Sequence, residues 1–371
     1  MIYLAIIFVI FYMLILIWFS DGVIKNNLVS NNTFHPNVTI IISAHNEEEN
    51  LPSLLNILVN QEYNSEYEII IANDRSTDDT KDIILSYTKK YNYIKLINIE
   101  ETPIGWGHKK WALNQCIKKA QFNIIIQTDG DCLPKPKWIK SIVEYFSDSD
   151  VIFVSAPAPM ENKNNQFSEY YKLDSLAQDA LSAAAFTKGM SFSCTGRNLA
   201  FLKNAFLDID GYEGIEHYES GDDDLLLQKF STLLNGGIKF SFNSDSIVIS
   251  DPPKSITDFI NQRIRYASKG FDYYKLNTRI EFKIFLPFLY LINLICLLGI
   301  IFFIQTVNII YLAPIIFKLI GDYWLCSIFF DKIKIHFPIL KFLVLSIVHP
   351  IYVVSLGLLA PFTNYTWKEN V

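Results

Sequence analysis

Acidic and basic side chains are missing from long parts of this 371-residue chain. Residues 1–20 contain no Asp, Glu, Lys or Arg, and residues 284–371 contain only eight of them. Half of all residues are hydrophobic, which excludes a disordered tail. The sequence therefore predicts membrane segments on both sides of a more polar middle.

A surplus of positive charge is also absent, because 32 Lys and Arg stand against 38 Asp and Glu, for a net charge of −6. Nucleic-acid binders attach to phosphates mainly through surplus Lys and Arg, so we exclude that class. The five cysteines form no CxxC pair, and two of them, Cys296 and Cys326, lie in apolar runs. We expect neither a disulfide framework nor a zinc cluster, which fits a reducing compartment.

Four apolar runs are long enough to cross the ~30 Å hydrocarbon core of a bilayer as helices. They lie at about residues 1–20, 282–304, 309–330 and 339–360, and the last three form a group over 282–360. A cleaved signal peptide is the alternative for the first run, but the run has neither a basic start nor a small-x-small cleavage site.

The distribution of Lys and Arg near these runs predicts the orientation of the chain. Basic residues cluster just before the second run and between the third and fourth runs. Because positive loops stay on the cytoplasmic side, we expect a multi-pass protein of the cell inner membrane or plasma membrane. Its middle is expected in the cytoplasm and both termini outside.

Strand-like and helix-like patterns alternate in the polar middle of the chain, residues 36–254. The predicted strands are Val38–Ser43, Glu68–Ala72, Ile94–Ile99 and Asn123–Gln127, and amphipathic helices are predicted between them. This alternation is typical of βαβ units, so we expect an α/β fold with a mostly parallel sheet flanked by helices.

Polar residues follow the predicted strands, where ligands of such sheets bind. Ala44 and Glu47 follow the first strand, Asp74 the second, and Asp129 and Asp131 the fourth. Two carboxylates on either side of a glycine reach one hard cation, while diphosphate oxygens fill its other positions. This predicts Mg²⁺ or Mn²⁺ with a nucleotide diphosphate, and a plain acidic turn is the alternative.

Lys109 and Lys110 begin the helix before the fourth strand; their charges are predicted to meet phosphate, and a solvated helix face is the alternative. Taken in order, these motifs resemble the membrane-embedded family 2 glycosyltransferases with a GT-A fold, over about residues 36–360. The resemblance implies a cytoplasmic GT-A domain at 36–254 and assigns roles to named residues. It implies donor binding by Ala44, Glu47, Asp74, Lys109 and Asp129, and metal binding by Asp131 and Asp129.

Two later segments resemble further motifs of that family. Cys194, Thr195, Gly196 and Arg197 resemble the segment that lines the acceptor pocket. The sequence Gly-Asp-Asp-Asp-Leu begins at Gly221, and alignment on its leucine places Asp222 on the general base. Glycine stands where the family has glutamate, so Asp223 stays a second candidate.

The segment 255–281 resembles the QxxRW motif of the family through Gln262, Arg265 and Tyr266, with tyrosine in place of tryptophan. Tyrosine keeps an aromatic face and Arg265 can neutralise diphosphate, so donor binding is expected to persist. Apolar residues recur at helical spacing here with basic residues around them, which predicts an amphipathic helix at the membrane surface.

The resemblance implies inverting transfer of a sugar, from a UDP-sugar donor by our interpretation, to an acceptor hydroxyl. We favour a membrane lipid as the acceptor. The alternatives are a processive polysaccharide synthase of the cellulose or hyaluronan type and an inactive membrane scaffold. Four spans with few polar residues would make a narrow polysaccharide channel unless the protein forms an oligomer, which the sequence leaves open.

Overall fold

The computed structural model describes residues 2–26, 33–162, 164–268, 270 and 272–363. Met1 and residues 269 and 271, which fall in predicted helices, lie outside the described residues. The chain divides into two compact units. The sheet unit comprises Asn27–Glu161 and Ser191–Asp251, and the helical unit comprises Met1–Asn26, Asn162–Met190 and Pro252–Val371.

The described residues of the sheet unit form nine strands. Seven of them make one sheet, in the order β3, β2, β1, β4, β7, β6, β8, and β5 pairs with β9. The strands are β1 (Val38–Ala44), β2 (Tyr67–Asp74), β3 (Ile94–Ile99), β4 (Ile124–Asp129), β5 (Cys132–Pro134), β6 (Val151–Ser155), β7 (Leu199–Leu202), β8 (Gly237–Phe240) and β9 (Val248–Ser250).

Val and Ile residues of β1, β2 and β4 are buried on both faces, as strands of a parallel sheet covered by helices require. The helices of this unit are α2 (Leu51–Val59), α3 (Thr80–Lys90), α4 (His108–Lys119), α5 (Trp138–Val143), α7 (Lys203–Asp208) and α8 (Asp224–Leu233). In α2, leucines at positions 51, 54, 55 and 58 are buried at helical spacing. The predicted α/β class with a mostly parallel sheet is confirmed.

The strand directions bring several predicted site segments to one edge of the sheet. β1, β2 and β4 are parallel, so their carboxyl ends meet at the same edge. β7 is antiparallel to β4, and Leu199 pairs with Gln127. The loop that precedes β7 therefore lies at the edge where β4 ends.

In the helical unit, the described residues form seven α-helices and no strand. They are α1 (Ile2–Lys25), α6 (Ser168–Thr187), α9 (Ile256–Ser268), α10 (Asp272–Lys275), α11 (Ile280–Thr306), α12 (Ala313–Lys332) and α13 (Ile339–Leu359). Four helical segments among the described residues are long and apolar enough to cross a membrane, namely Ile2–Lys25, Ile280–Thr306, Ile309–Lys332 and Ile339–Leu359. The prediction of one N-terminal and three C-terminal candidate spans is confirmed.

Residues 162–190, which contain α6, lie inside the range expected for the transferase domain, yet they pack with the apolar helices.

The apolar helices α1 and α12 pack against each other through a small residue and a polar group. A Cβ atom on Gly321 of α12 would lie 3.1 Å from Met13 Cα of α1. Nearby, Tyr12 Oη donates to Asp322 Oδ1 at 2.6 Å, and Lys318 Nζ lies 2.5 Å from Asp322 Oδ2. Charges within candidate spans are tolerated when they are paired in this way.

Candidate active site

The ammonium group of Lys109 lies between two carboxylates at the carboxyl edge of the sheet. Lys109 Nζ is 2.8 Å from Asp129 Oδ1 and 3.0 Å from Asp222 Oδ2. Lys109 belongs to the first turn of α4, Asp129 ends β4, and Asp222 lies just before α8. Three segments that are far apart in the sequence thus meet at one atom.

Burial and charge shift the pKa values of this cluster. Burial lowers the pKa of Lys109, but the carboxylates of Asp129 and Asp222 outweigh it and raise that pKa well above its ordinary value. Burial raises the pKa of Asp129, Lys109 opposes this, and the carboxylates of Asp222 and Asp131 add to it. The edge therefore concentrates more negative charge than one ammonium group balances.

The two candidate bases have different partners. Asp223 Oδ2 accepts from the backbone N–H of Gly196 at 2.9 Å, and its Oδ1 accepts from the N–H of Asp224 at 2.6 Å. Asp223 thereby caps α8 and anchors the loop before β7. Asp222 Oδ2 is instead held by side chains, those of Lys109 and Gln127.

The glycine that departs from the expected acidic motif has a conformational reason. Gly221 has φ +93°, a left-handed conformation that side chains other than glycine rarely adopt. A Cβ atom there would also lie 2.6 Å from Leu225 Cγ. The glycine therefore permits the turn that leads into the three aspartates.

Gln127 belongs to the site although the sequence patterns do not single it out. It is fully buried on β4, and its Nε2 donates to Asp222 Oδ2 at 3.0 Å and to the carbonyl of Gly196 at 3.2 Å. The signal that could have revealed it is an amide within an otherwise apolar strand. Such a residue needs polar partners when it is buried.

The predicted acceptor segment is fixed close to Asp222. A Cβ atom on Gly196 would lie 2.7 Å from Asp222 Oδ2, so only glycine fits there without displacing the cluster. Thr195 Oγ1 accepts from Arg197 Nε at 3.0 Å, and Thr128 Oγ1 donates to the carbonyl of Arg197 at 2.9 Å. Cys194, at the start of the segment, is half-buried.

Two of the predicted donor-binding residues, Ala44 and Asp74, end the strands β1 and β2. Ala44 is buried at the end of β1, and the next residue, His45, has its Nδ1 2.5 Å from the carbonyl oxygen of Asp74. Asp74 is itself buried, and its Oδ1 lies 2.9 Å from Arg75 Nε. The loops after the two strands are therefore joined at the edge that carries Asp129.

Glu47 lies against the turn that follows β4. A Cβ atom on Gly130 would lie 2.9 Å from Glu47 Cγ, so glycine allows this close approach. The side chain of Glu47 is buried, and its Oε2 accepts from Asn50 Nδ2 at 2.9 Å. Glu47 therefore lies next to the glycine that separates Asp129 from Asp131.

Asp129 and Asp131 offer hard oxygen ligands, which is the chemistry that Mg²⁺ and Mn²⁺ require. The part of the chain that the structure describes contains no group of three or more His, Cys, Asp or Glu side chains around one metal position. Two carboxylates fit a metal whose remaining ligands come from a bound diphosphate. The residues present therefore fit such a metal–nucleotide site.

Lys110 does not take the role that its neighbour suggests. The sequence patterns predict that both lysines meet phosphate, but Lys110 is fully buried. Its Nζ donates to the carbonyl oxygen of Tyr218 and, at 2.7 Å, to that of Ser220. The expectation is therefore wrong for Lys110, which joins α4 to the loop that leads to Asp222.

The QxxRY residues lie together on α9 in the helical unit. Tyr266 is 38% exposed, and the guanidinium carbon of Arg265 lies 5.0 Å from the centroid of its ring. Gln262 is half-buried one turn earlier in the helix. Arg263, between them in sequence, is buried.

Two protein-family models match the chain. Residues 39–207 match the model described as glycosyl transferase family 2. Residues 124–360, more than half of the chain, match the model described as glycosyl transferase family group 2.

Curated relatives match parts of the chain. Glycosyltransferase AglE of Haloferax volcanii is 28% identical over 195 residues, which are 51% of this chain and 59% of that protein. A beta-monoglucosyldiacylglycerol synthase of Nostoc sp. is 32% identical over 133 residues, 36% of this chain and 28% of the synthase. The chain thus spans less than two thirds of the length of either relative.

A solved structure resembles the whole chain in fold. The mannosyltransferase of Pyrobaculum calidifontis, in complex with GDP-Man and Mn²⁺, gives a TM-score of 0.61 at 17% identity. The likeness covers 97% of this chain and 98% of the mannosyltransferase.

The buried lysine of α4 generates a stability prediction. Lys110→Met keeps the length of the side chain but removes the donor to two backbone carbonyl groups, those of Tyr218 and Ser220. We expect the free energy of unfolding to fall by about 2–3 kcal/mol, because hydrogen bonds from charged groups contribute about 1.5–3 kcal/mol. Thermal unfolding of the purified full-length protein measures this.

Lys119→Met is the matched control, because Lys119 is an exposed lysine at the end of the same helix. We expect its melting temperature to stay within about 1 °C of the wild type, as surface substitutions change stability little. Equal melting temperatures for Lys110→Met and Lys119→Met would contradict the structural role of Lys110.

Proposed function

This chain belongs to glycosyl transferase family 2, and from that membership we propose that it transfers a sugar from a nucleotide-diphosphate sugar to a membrane lipid. It is a glycosyltransferase with the GT-A fold. The observation that carries the proposal is the contact of Lys109 Nζ with both Asp129 and Asp222. That contact connects Asp129, which is predicted to bind the metal and the donor, with Asp222, which is predicted to be the base.

The proposed reaction inverts the configuration at the anomeric carbon. Asp222 accepts the proton of the acceptor hydroxyl while the hydroxyl oxygen forms a bond to that carbon. The bond from the carbon to the diphosphate oxygen breaks, and the nucleoside diphosphate leaves with the electron pair. Asp222 suits this role better than Asp223, whose two oxygens both accept from backbone N–H groups.

Lys109 provides the positive charge nearest to the base. As negative charge develops on the leaving diphosphate, its ammonium group stabilises that charge electrostatically. A divalent ion bound by Asp129 and Asp131 would neutralise the same oxygens. Gln127 keeps the Asp222 carboxylate in place through its hydrogen bond, and the lack of a side chain at Gly196 leaves the space that this carboxylate occupies.

Donor binding is assigned to two groups of residues. In the sheet unit, Ala44, Glu47 and Asp74 are proposed to hold the nucleoside, which we take to be uridine. In the helical unit, Arg265 is proposed to neutralise diphosphate, with Gln262 and Tyr266 beside it. Arginine is suited to this because its guanidinium group binds phosphate oxygens in pairs.

A lipid acceptor is supported by the helices of the chain and by a relative. Four segments among the described residues are suited to crossing a membrane. The α9 helix exposes apolar side chains, among them Ile256 at 65% and Ile260 at 37%, as a helix on a membrane surface does. The Nostoc relative is named for a glucosyldiacylglycerol product. We therefore propose a lipid hydroxyl as acceptor, reached from the cytoplasmic face and lined by 194–197.

The donor, the acceptor and the base can be tested together. Membranes containing the protein are incubated with Mn²⁺ or Mg²⁺ and a panel of UDP- and GDP-sugars, and are then extracted with organic solvent. We expect a new glycolipid and released nucleoside diphosphate. Asp222→Asn should lower kcat at least about 100-fold, because general bases contribute about 10²–10⁴-fold.

Asp223→Asn is the matched control for Asp222→Asn. It keeps one acceptor oxygen for the backbone contacts of Asp223, so we expect a smaller loss of kcat. The reverse result would assign the base to Asp223. Labelled insoluble polymer in place of glycolipid would indicate a polysaccharide synthase, and no diphosphate release with any donor would indicate an inactive scaffold.

The proposed orientation, with a cytoplasmic sheet unit, predicts a labelling pattern. Cys194→Ser gives a suitable background, because the other four cysteines are buried. In that background, Asn308→Cys should react with a membrane-impermeant maleimide in intact cells. Glu101→Cys should react only after permeabilisation, because Glu101 is exposed on the sheet unit. Labelling of Glu101→Cys in intact cells, with Asn308→Cys labelled only after permeabilisation, would reverse the proposed topology.

A further inference from the structure

The two arginines of α9 have different surroundings. Arg263 is buried and forms an ion pair with Asp174 of α6 through Nη2 and Oδ2. The same carboxylate accepts at Oδ1 from Tyr352 Oη of α13 at 2.5 Å. Gln178, one turn along α6, donates to Asp174 Oδ2 at 3.0 Å. A single carboxylate therefore connects α9 with α6 and with the last candidate span.

Aromatic rings enclose the Arg263 side chain. Its guanidinium carbon lies 4.9 Å from the ring centroid of Phe259 and 5.5 Å from that of Tyr266. Phe259 in turn contacts Tyr352 edge to face, with centroids 5.7 Å apart. Arg263 thus touches the aromatic residue of the QxxRY motif as well as the carboxylate of α6.

The burial of Arg263 sets the direction of the Arg265 side chain, because both residues belong to the same helix. An α-helix has ~3.6 residues per turn, so residues two positions apart, such as Arg263 and Arg265, lie about 160° apart around the helix axis. Positions 262, 265 and 266 lie on one face of the helix. When Arg263 is buried against Asp174, Arg265 must therefore point to nearly the opposite side. A rotation of α9 that redirected Arg265 would break the ion pair.

Breaking that pair is costly, because it leaves a buried charge without its partner. Ile264 of α9 also packs against Leu356 and Ala360, but such apolar contacts have less directional preference than an ion pair. The ion pair and the Tyr352 hydrogen bond are directional, so they select one rotation of α9.

We propose that Asp174, Arg263 and Tyr352 are positioning residues, which fix the rotation of α9 and so the direction in which Arg265 meets the donor diphosphate. This inference rests on the donor role proposed above for α9. It makes α13, a candidate membrane span, part of the donor-binding machinery. The span then does more than anchor the enzyme.

Tyr352→Phe tests the proposal with the smallest change. It removes one hydroxyl group, keeps the ring contact with Phe259 and leaves the Asp174–Arg263 pair in place. Asp174→Asn is less suitable, because it leaves Arg263 buried without a counter-charge. We expect Tyr352→Phe to weaken UDP binding with Mn²⁺ about fivefold to tenfold in the full-length protein in lipid nanodiscs, as measured by titration calorimetry.

Tyr290→Phe is the matched control. Tyr290 Oη donates to the carbonyl of Val354 in α13 at 3.3 Å. Like Tyr352→Phe, this variant removes one tyrosine hydroxyl from a hydrogen bond between α13 and another helix. Neither residue belongs to α9. We expect its UDP affinity to equal that of the wild type, and an equal loss in both variants would overturn the positioning role.

A double-mutant cycle separates positioning from general destabilisation. Arg265→Ala should itself weaken UDP binding, and adding Tyr352→Phe to it should change the affinity by less than about twofold, since coupled residues are not additive. A full additional loss in the double variant would overturn the inference. Unchanged UDP binding in Arg265→Ala alone would instead overturn the proposed donor role of α9.

Discussion

The carboxylates of Asp129 and Asp222 approach one atom, Lys109 Nζ, at 2.8 Å and 3.0 Å. Without that ammonium group the two negative charges would repel each other at a largely buried edge. The surrounding structure serves to keep this contact. Lys110, the next residue, binds the loop that leads to Asp222, and Gly196 leaves the space that the cluster occupies. The geometry of the proposed base therefore depends on a cation that the chain itself supplies.

Much of this edge could be predicted because strands and their ends leave clear patterns. Asp129 follows a run of three isoleucines, and Asp74 follows another apolar run, so both were expected at the carboxyl ends of strands. The resemblance assigned a donor role to Lys109, but the structural role of Lys110 could not be predicted. Lys109 and Lys110 differ by about 100° around α4, and only the packing of that helix decides which one reaches the carboxylates. Gln127 was missed for a similar reason, since its partners come from distant segments.

The grouping of α6 with the apolar helices could not be predicted either. Its buried residues include several alanines and serines, such as Ala183, Ala184 and Ser175, which give a weak hydrophobic pattern. The strand β7 was also missed, because Leu199–Leu202 is too short for alternation to show. Both elements matter for the site. β7 places the acceptor loop next to β4, and α6 carries the carboxylate that binds Arg263.

A charged side chain shared by two partners occurs in each of the two units. In the sheet unit a largely buried lysine is shared by Asp129 and Asp222, and in the helical unit the carboxylate of Asp174 is shared by Arg263 and Tyr352. Buried ion pairs seldom stabilise a fold more than well-packed apolar residues would. Buried ion pairs instead restrict geometry, because a charged group that is removed from water tolerates few arrangements of its hydrogen-bond partners. A transferase must bring a donor diphosphate, a base and an acceptor hydroxyl into line within fractions of an ångström. Directional contacts in both units are suited to that requirement.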